Sequence, residues 1–177
     1  MLVLGVDPGS RVTGYGVIEK KNQYVSYIGS GYIRSSERIP FYDRVYNIFK
    51  SMKKIMDEYG PHEMAIEDIF YAKNVQSSLK LGHARAAVLI AAAERGLKIF
   101  EYTPLEVKKS IVGYGRAGKE QVRSMVNVIL RLKQNLNLDT SDALAVAICH
   151  LNWTRYSPPA EISRCSNKFS HYKKLCK

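Results

Sequence analysis

Three β-strand signatures follow one another in the first 33 residues, with no helical spacing between them, and this narrows the possible folds more than any other feature. Leu2–Asp7 is an apolar run closed by Asp7-Pro8-Gly9, a strong turn signal. Val12–Glu19 and Tyr24–Ile33 are rich in β-branched and aromatic residues, with glycines among them. Three such segments in sequence predict an antiparallel meander. The period then changes: Phe41, Val45, Ile48, Phe49, Met52, Ile55 and Met56 recur at helical spacing until Gly60-Pro61 stops the helix. Met64–Phe70 reads as a fourth strand, Ser77–Arg95 as an alanine-rich helix closed by Gly96, and Leu97–Tyr102 as a fifth strand. Thr103-Pro104-Leu105-Glu106 is a capping box with proline at the first helical position. A glycine-rich loop (Gly113–Gly118) and helices over Lys119–Leu132 and Asp139–Trp153 follow. The order βββαβαβ and then helices predicts an α/β domain whose mixed five-stranded sheet is flanked by helices on both faces.

Length and composition set the outer bounds. The 177 residues suit one compact domain, expected over residues 1–156, with a basic tail over residues 157–177. No run approaches the ~20 apolar residues of a membrane span, and the first residues enter a strand without a basic leader. A cytoplasmic protein without a signal peptide is the expectation. Cys149, Cys165 and Cys176 are an odd set, two of them in the last thirteen residues, which suits a reducing compartment better than a disulfide framework. Cys165, His171 and Cys176 offer only three ligands, short of a structural zinc site. The net charge of +11 points to a polyanionic partner such as nucleic acid. The tail holds +4 of it, leaving +7 for the body.

Four carboxylates stand where a core-forming sequence would not put them. Asp7 ends the first strand behind Leu4 and Val6, and Glu67 follows Ala65-Ile66 in the fourth. Asp139 and Asp142, three apart at the start of an apolar helix, share one helix face. If strands one and four are neighbours, Asp7 and Glu67 meet at one edge of the sheet, and the last helix can add its pair from the side. Like charges so gathered raise one another's pKa unless a cation compensates. Oxygen-only ligands favour Mg²⁺ or Mn²⁺, and two such ions about 3.5–4 Å apart are the recurrent device for phosphodiester hydrolysis. Singly, each acid also has a plainer role. Asp7 can initiate a turn, Asp139 can cap a helix with Asp142 favouring its dipole, and Glu67 can face solvent.

The motifs also carry a resemblance. Gly5-Val6-Asp7-Pro8-Gly9-Ser10-Arg11-Val12-Thr13-Gly14-Tyr15-Gly16 resembles the opening signature of the RuvC family of Holliday junction resolvases. Ala65-Ile66-Glu67, Phe70, Ala72-Lys73-Asn74 and Leu79 through Arg85 resemble its second block. Glu101-Tyr102, Val107-Lys108 and Val112 through Lys119 resemble a third, and Asp139-Thr140-Ser141-Asp142-Ala143-Leu144 through Ala147 a fourth. The likeness is ordered and covers roughly residues 1–154.

It implies an RNase H-like fold, a homodimer on a four-way junction, and paired symmetric nicks that leave 5′-phosphate and 3′-hydroxyl ends during recombination and repair. A branch-migration helicase complex is implied as a further partner. Carried over by motif, Asp7, Glu67, Asp139 and Asp142 are the metal-binding catalytic acids. Phe70 matches an aromatic that stacks on unpaired bases near the junction centre, a contact worth about 1–3 kcal/mol per base. Lys108 and Lys119 match basic positions close to the scissile phosphate. Lys73, Lys80, Arg85, Arg116 and Arg123 are further candidates for the DNA backbone, with a solvated surface role open for each. His83 is read as structural or interfacial. The small residues of Ser77–Arg95 offer a dimer helix, or one packed on its own sheet.

Three rivals differ in testable ways. A non-catalytic junction-binding protein predicts loss of at least one of the four acids, yet all are present. Sugar kinases and actin-like ATPases open similarly but need a second nucleotide-binding domain. An RNase H-like nuclease acting on RNA–DNA hybrids needs neither the Phe70 loop nor an obligatory dimer.

Overall fold

A computed structural model describes residues 1–68, 75–133 and 136–156. The expected tail over residues 157–177, and with it Cys165, His171 and Cys176, lies outside the described residues, as do Phe70 and Lys73.

The chain runs β1 (Leu2–Asp7), β2 (Val12–Lys21), β3 (Tyr24–Arg34), α1 (Phe41–Tyr59), β4 (Glu63–Glu67), α2 (Val75–Glu94), β5 (Lys98–Tyr102), α3 (Pro104–Val112), α4 (Lys119–Ile129) and α5 (Leu138–Tyr156). One sheet has the order β3-β2-β1-β4-β5. The meander pairs antiparallel, whereas β1 with β4 and β4 with β5 are parallel, so the sheet is mixed as expected.

Strand alternation sorts the apolar residues into two cores. On one face Val3, Ile18, Ala65, Phe100 and Tyr102 meet α3, α4 and α5. On the other, Leu4, Val6, Val17, Met64 and Ile66 meet α1 and α2. By the same parity Asp7 and Glu67 share the α5 side. That helix is buried continuously from Ala143 to Leu151. A helix enclosed on every side needs no polar stripe.

Close approach sets the α5 seam. A Cβ on Gly5 would lie 2.1 Å from the Ala143 carbonyl oxygen, one on Gly14 would lie 2.0 Å from that of Asp139, and one on Gly16 would meet the Leu144 side chain at 2.5 Å. Gly5 pairs with Gly16 across β1 and β2, and Gly14 pairs with Asp7. The glycines therefore form a trough in which the helix backbone lies.

Helix ends follow their caps, with one departure. Gly60 ends α1 and Gly113 ends α3 in left-handed conformation, and Thr103 and Glu106 cap α3 reciprocally. The helix expected to Leu132 stops instead at Ile129. Arg131 takes φ 53°, with Arg131 N bonding Val128 O and Leu132 N bonding Asn127 O. This is the Schellman arrangement with arginine where glycine is usual, so the stop has no glycine to announce it. The fourth strand also starts earlier than expected and closes at Glu67, and α2 begins at Val75 rather than Ser77.

Candidate active site

The parallel register of β1 and β4 runs Gly5–Ala65 and Val6–Ile66. One step further, Asp7 and Glu67 leave the ladder side by side on the α5 face. Their carboxyl groups share a hydrogen bond, which requires a proton on one of them. Burial, then the charges of Glu67 and Asp142, push the Asp7 carboxyl up to about 8, against the pull of Lys119. Burial also raises Glu67, opposed by the hydrogen bond from Asp7 and by Lys119 and Lys108.

Helix α5 brings the second pair of acids. Asp139 lies in its first turn, one residue inside Leu138, so it is not the N-cap. Its backbone rests on Gly14, the strand partner of Asp7. Asp142, one turn later, accepts a 2.7 Å hydrogen bond from Lys119 Nζ at the start of α4. That bond, with the surrounding acids, raises the Lys119 pKa. Asp7, Glu67, Asp142 and Lys119 thus form one electrostatic cluster, with the Asp139 backbone beside it.

The donor set fits a hard cation. Every ligand candidate is oxygen, and burial together with the charges of Glu67 and Asp142 raises the Asp7 carboxyl far above the ordinary carboxylate range, a penalty that a bound cation would offset. Among the described residues, no three His, Cys, Asp or Glu side chains are gathered closely enough to hold an ion as they stand. Lys119 supplies the one ammonium in direct contact with these acids among the described residues.

The other expected residues fall in different settings. Lys108 lies on α3 within electrostatic reach of Glu67, and Arg116 is exposed on the loop before α4. Lys80 is exposed on α2. Arg85 turns inward, its guanidinium on Glu101 and 3.5 Å from Asp68, with the side chain 13% exposed. As it stands, it ties α2 to β5. Arg123 pairs with Glu120. His83 bonds the Leu79 carbonyl and meets Phe41 edge-on, which agrees with its structural reading.

One polar group escaped the sequence reading. His150 is fully buried, with Nε2 2.8 Å from Glu63 Oε2 and Nδ1 2.8 Å from the Tyr102 hydroxyl. This bond from His150 lowers the Glu63 pKa. A histidine inside the otherwise apolar stretch 143–151 was the available signal.

A profile of the family described as crossover junction endodeoxyribonuclease RuvC matches residues 3–150. The chain belongs to the RuvC family. Curated relatives named crossover junction endodeoxyribonuclease RuvC include one from Geobacter sulfurreducens, 47% identical over 152 residues, which covers 86% of this chain and 93% of the relative. Another, from Trichlorobacter lovleyi, is 42% identical over 177 residues, 98% of this chain and 99% of its own. The structure of T. thermophilus RuvC in complex with Holliday junction substrate superposes with a TM-score of 0.83 at 33% identity, covering 88% of this chain and 95% of that one. The yeast mitochondrial Holliday junction resolvase shares the fold at a TM-score of 0.59 and 12% identity, over 96% of this chain and 85% of its own. The architecture is RNase H-like, as the RuvC resemblance implied.

Proposed function

We propose that this chain resolves four-way DNA junctions by paired nicks, with Asp7, Glu67, Asp139 and Asp142 as the acids that hold its divalent ions. Its membership of the RuvC family supports the reaction. The observation that carries the site is the Asp7–Glu67 pair, which leaves the parallel register side by side, hydrogen-bonded to each other and close to Asp142, where two strands and a helix converge. The oxygen donors suit two Mg²⁺ ions, with Mn²⁺ as a substitute. When bound, such ions lower the pKa of water and stabilise charge on the departing oxygen.

The protein's own residues bind and orient. Lys108 and Lys119 approach the acids from α3 and α4, where a phosphate entering the site would meet two ammonium groups. To engage it, Lys119 exchanges Asp142 for phosphate. Lys80 and Arg116, both exposed, extend the basic surface that favours DNA at low salt. Lys73 adds to it, and Phe70 stacks on bases at the junction centre, as the family resemblance implies. Arg85 serves as an internal strut.

A second copy of the chain fits on α2. Val75, Leu79 and Ile90 are 58–70% exposed, and Ala86 and Ala93 are exposed with them. Counting Gly82, the stripe repeats at intervals of four, three, four, four and three residues, the spacing by which two helices pack side by side. An isologous contact there would give two acid clusters related by a twofold axis, matching a twofold junction.

The test compares wild type with Asp7→Asn on a labelled synthetic four-way junction, in Mg²⁺ or in EDTA. Symmetric Mg²⁺-dependent nicks by wild type, and bound but uncut junction with the variant, are expected. Cleavage by Asp7→Asn at the wild-type rate removes the reading of the acids. Preference for an RNA–DNA hybrid over the junction removes the substrate.

A further inference from the structure

The turn that follows Asp7 is held by three different elements. The Gly9 carbonyl accepts from Thr13 Oγ1 at 2.9 Å. The Ser10 carbonyl accepts from the guanidinium of Arg44, which reaches over from α1. The Arg11 carbonyl accepts from the backbone N–H of Ser35, just past β3, at 3.0 Å. Thr13, Ser35 and Arg44 are all buried, with relative exposures of 0%, 6% and 7%.

Arg44 is the unusual member. Arginine is almost never this buried unless it is paired, and here Nε of Arg44 and Oγ of Ser35 are both buried without a partner. Filling space does not account for it, because burying a charge is costly and an apolar side chain would fill the same volume without that penalty. What an apolar side chain cannot do is hold the Ser10 carbonyl from a fixed direction. Phe41 supplies that direction, with its ring 5.6 Å from the guanidinium carbon and itself against His83 of α2.

Location gives the contact a purpose. Asp7 is the last residue of β1, so the ladder holds its backbone on one side and the turn holds it on the other. Asp7 faces α5, whereas Arg44 approaches from α1, on the opposite face of the sheet. Arg44 therefore fixes the turn without entering the site. We propose that Arg44 is a positioning residue for the reaction: by anchoring the Ser10 carbonyl it sets the angle at which Asp7 presents its carboxyl group to the other acids. The inference rests on the reading of Asp7 as an ion-binding acid.

The full-length protein carrying Arg44→Met, which keeps the apolar stem and removes the donors, is compared with Arg44→Lys, which restores one donor. Four quantities are measured: the single-turnover junction cleavage rate across a Mg²⁺ titration, Mn²⁺ binding by calorimetry, junction affinity in EDTA, and amide exchange over residues 8–13. Displaced supports of ion-binding groups cost about 10–100-fold. Arg44→Met is expected to lose at least about tenfold in cleavage rate and Mn²⁺ affinity, keep junction affinity within about twofold, and speed exchange over the turn. Arg44→Lys is expected to recover part of each. Unchanged cleavage, Mn²⁺ affinity and exchange in Arg44→Met overturns the inference. So does a loss that appears equally in melting temperature and junction affinity while the turn exchanges as before. Should Arg44→Met fail to fold, full wild-type metal dependence together with faster turn exchange in Arg44→Lys overturns it. Cleavage retained by Asp7→Asn would remove the reading of the acids instead, and leaves the exchange result standing by itself.

Discussion

On one face of the sheet, α1 stands off on long side chains, with Ile48, Met52 and Met56 filling the gap above Leu4, Val6 and Ile66, while α2 adds the small Ala84, Ala87, Val88, Ala91 and Ala92 to the same core. On the other, α5 lies so close that Gly5, Gly14 and Gly16 have no room for a methyl group. A gap filled by flexible side chains can redistribute when one of them changes. Where Gly5 and Gly14 meet the main chain of α5 the seam cannot, because a carbonyl has no rotamers to adjust; at Gly16 the neighbour is the Leu144 side chain. The acids sit on the second kind of face. A site that must hold like charges close together without collapse gains from such stiffness.

That contrast can be broken by one methyl. Gly14→Ala forces the Asp139 carbonyl away from β2, and a shift of about 1 Å near the chemistry can cost about 10²-fold in rate. Single-turnover cleavage is the measurement, and a rate near wild type would mean that the seam yields after all. The opposite face should respond in the opposite currency. Ile48→Ala leaves a cavity and should cost about 2–5 kcal/mol of stability by denaturant titration. Its cleavage rate per folded molecule should stay close to wild type. A smaller effect tests the buried polar contact of the α5 face. Glu63→Gln weakens the charge-assisted bond to His150, with an expected loss on the order of 1 kcal/mol, whereas no such pair bridges α1 to the sheet among the described residues.

A pH dependence should also come from the α5 face. Asp7 titrates near 8 when folded and near 3.8 when unfolded, so between those values the unfolded chain has released a proton that the folded chain keeps. This group's contribution to the stability of the metal-free protein therefore falls as pH rises from about 4 to about 8, and changes no further above that range. Thermal melts in EDTA across this range should show the decline, and Asp7→Asn should flatten it. Adding Mn²⁺ at pH 7 should release protons, readable in weakly buffered solution.

Much of the fold was legible because its signals are local. The meander follows from β-rich runs and turn residues, α1 and α3 from helical period and caps, and the four acids from their odd places at the ends of apolar segments. Three things were not legible, each for a physical reason. The glycines of β1 and β2 are pressed by a helix more than a hundred residues away in sequence, so Gly14 reads locally only as a weak strand position. Arg131 ends α4 in a conformation that glycine usually takes, so no residue type marks the stop. The Glu63–His150–Tyr102 chain joins β4, α5 and β5; the register sets Glu63 opposite Lys98 and Tyr102 opposite Glu67, so only the packing of α5 across both strands brings its members together. Asp139 and Asp142 share a helix face by spacing alone. That this face lies over the Asp7–Gly14 pair needed the fold.

The glycine trough also limits how this chain can change over time. Position 14 carries no side chain, and what it meets on the helix is a main-chain carbonyl, which no substitution on α5 can remove. Gly5 faces the Ala143 carbonyl and the Ala147 methyl, so most of its crowding is likewise fixed. Substitutions there have no compensating partner, and the seam cannot drift by paired small steps as an ordinary core does. Variation in reach, affinity and sequence preference must come from the loops and the outer helix faces, while the frame that holds the acids stays as it is.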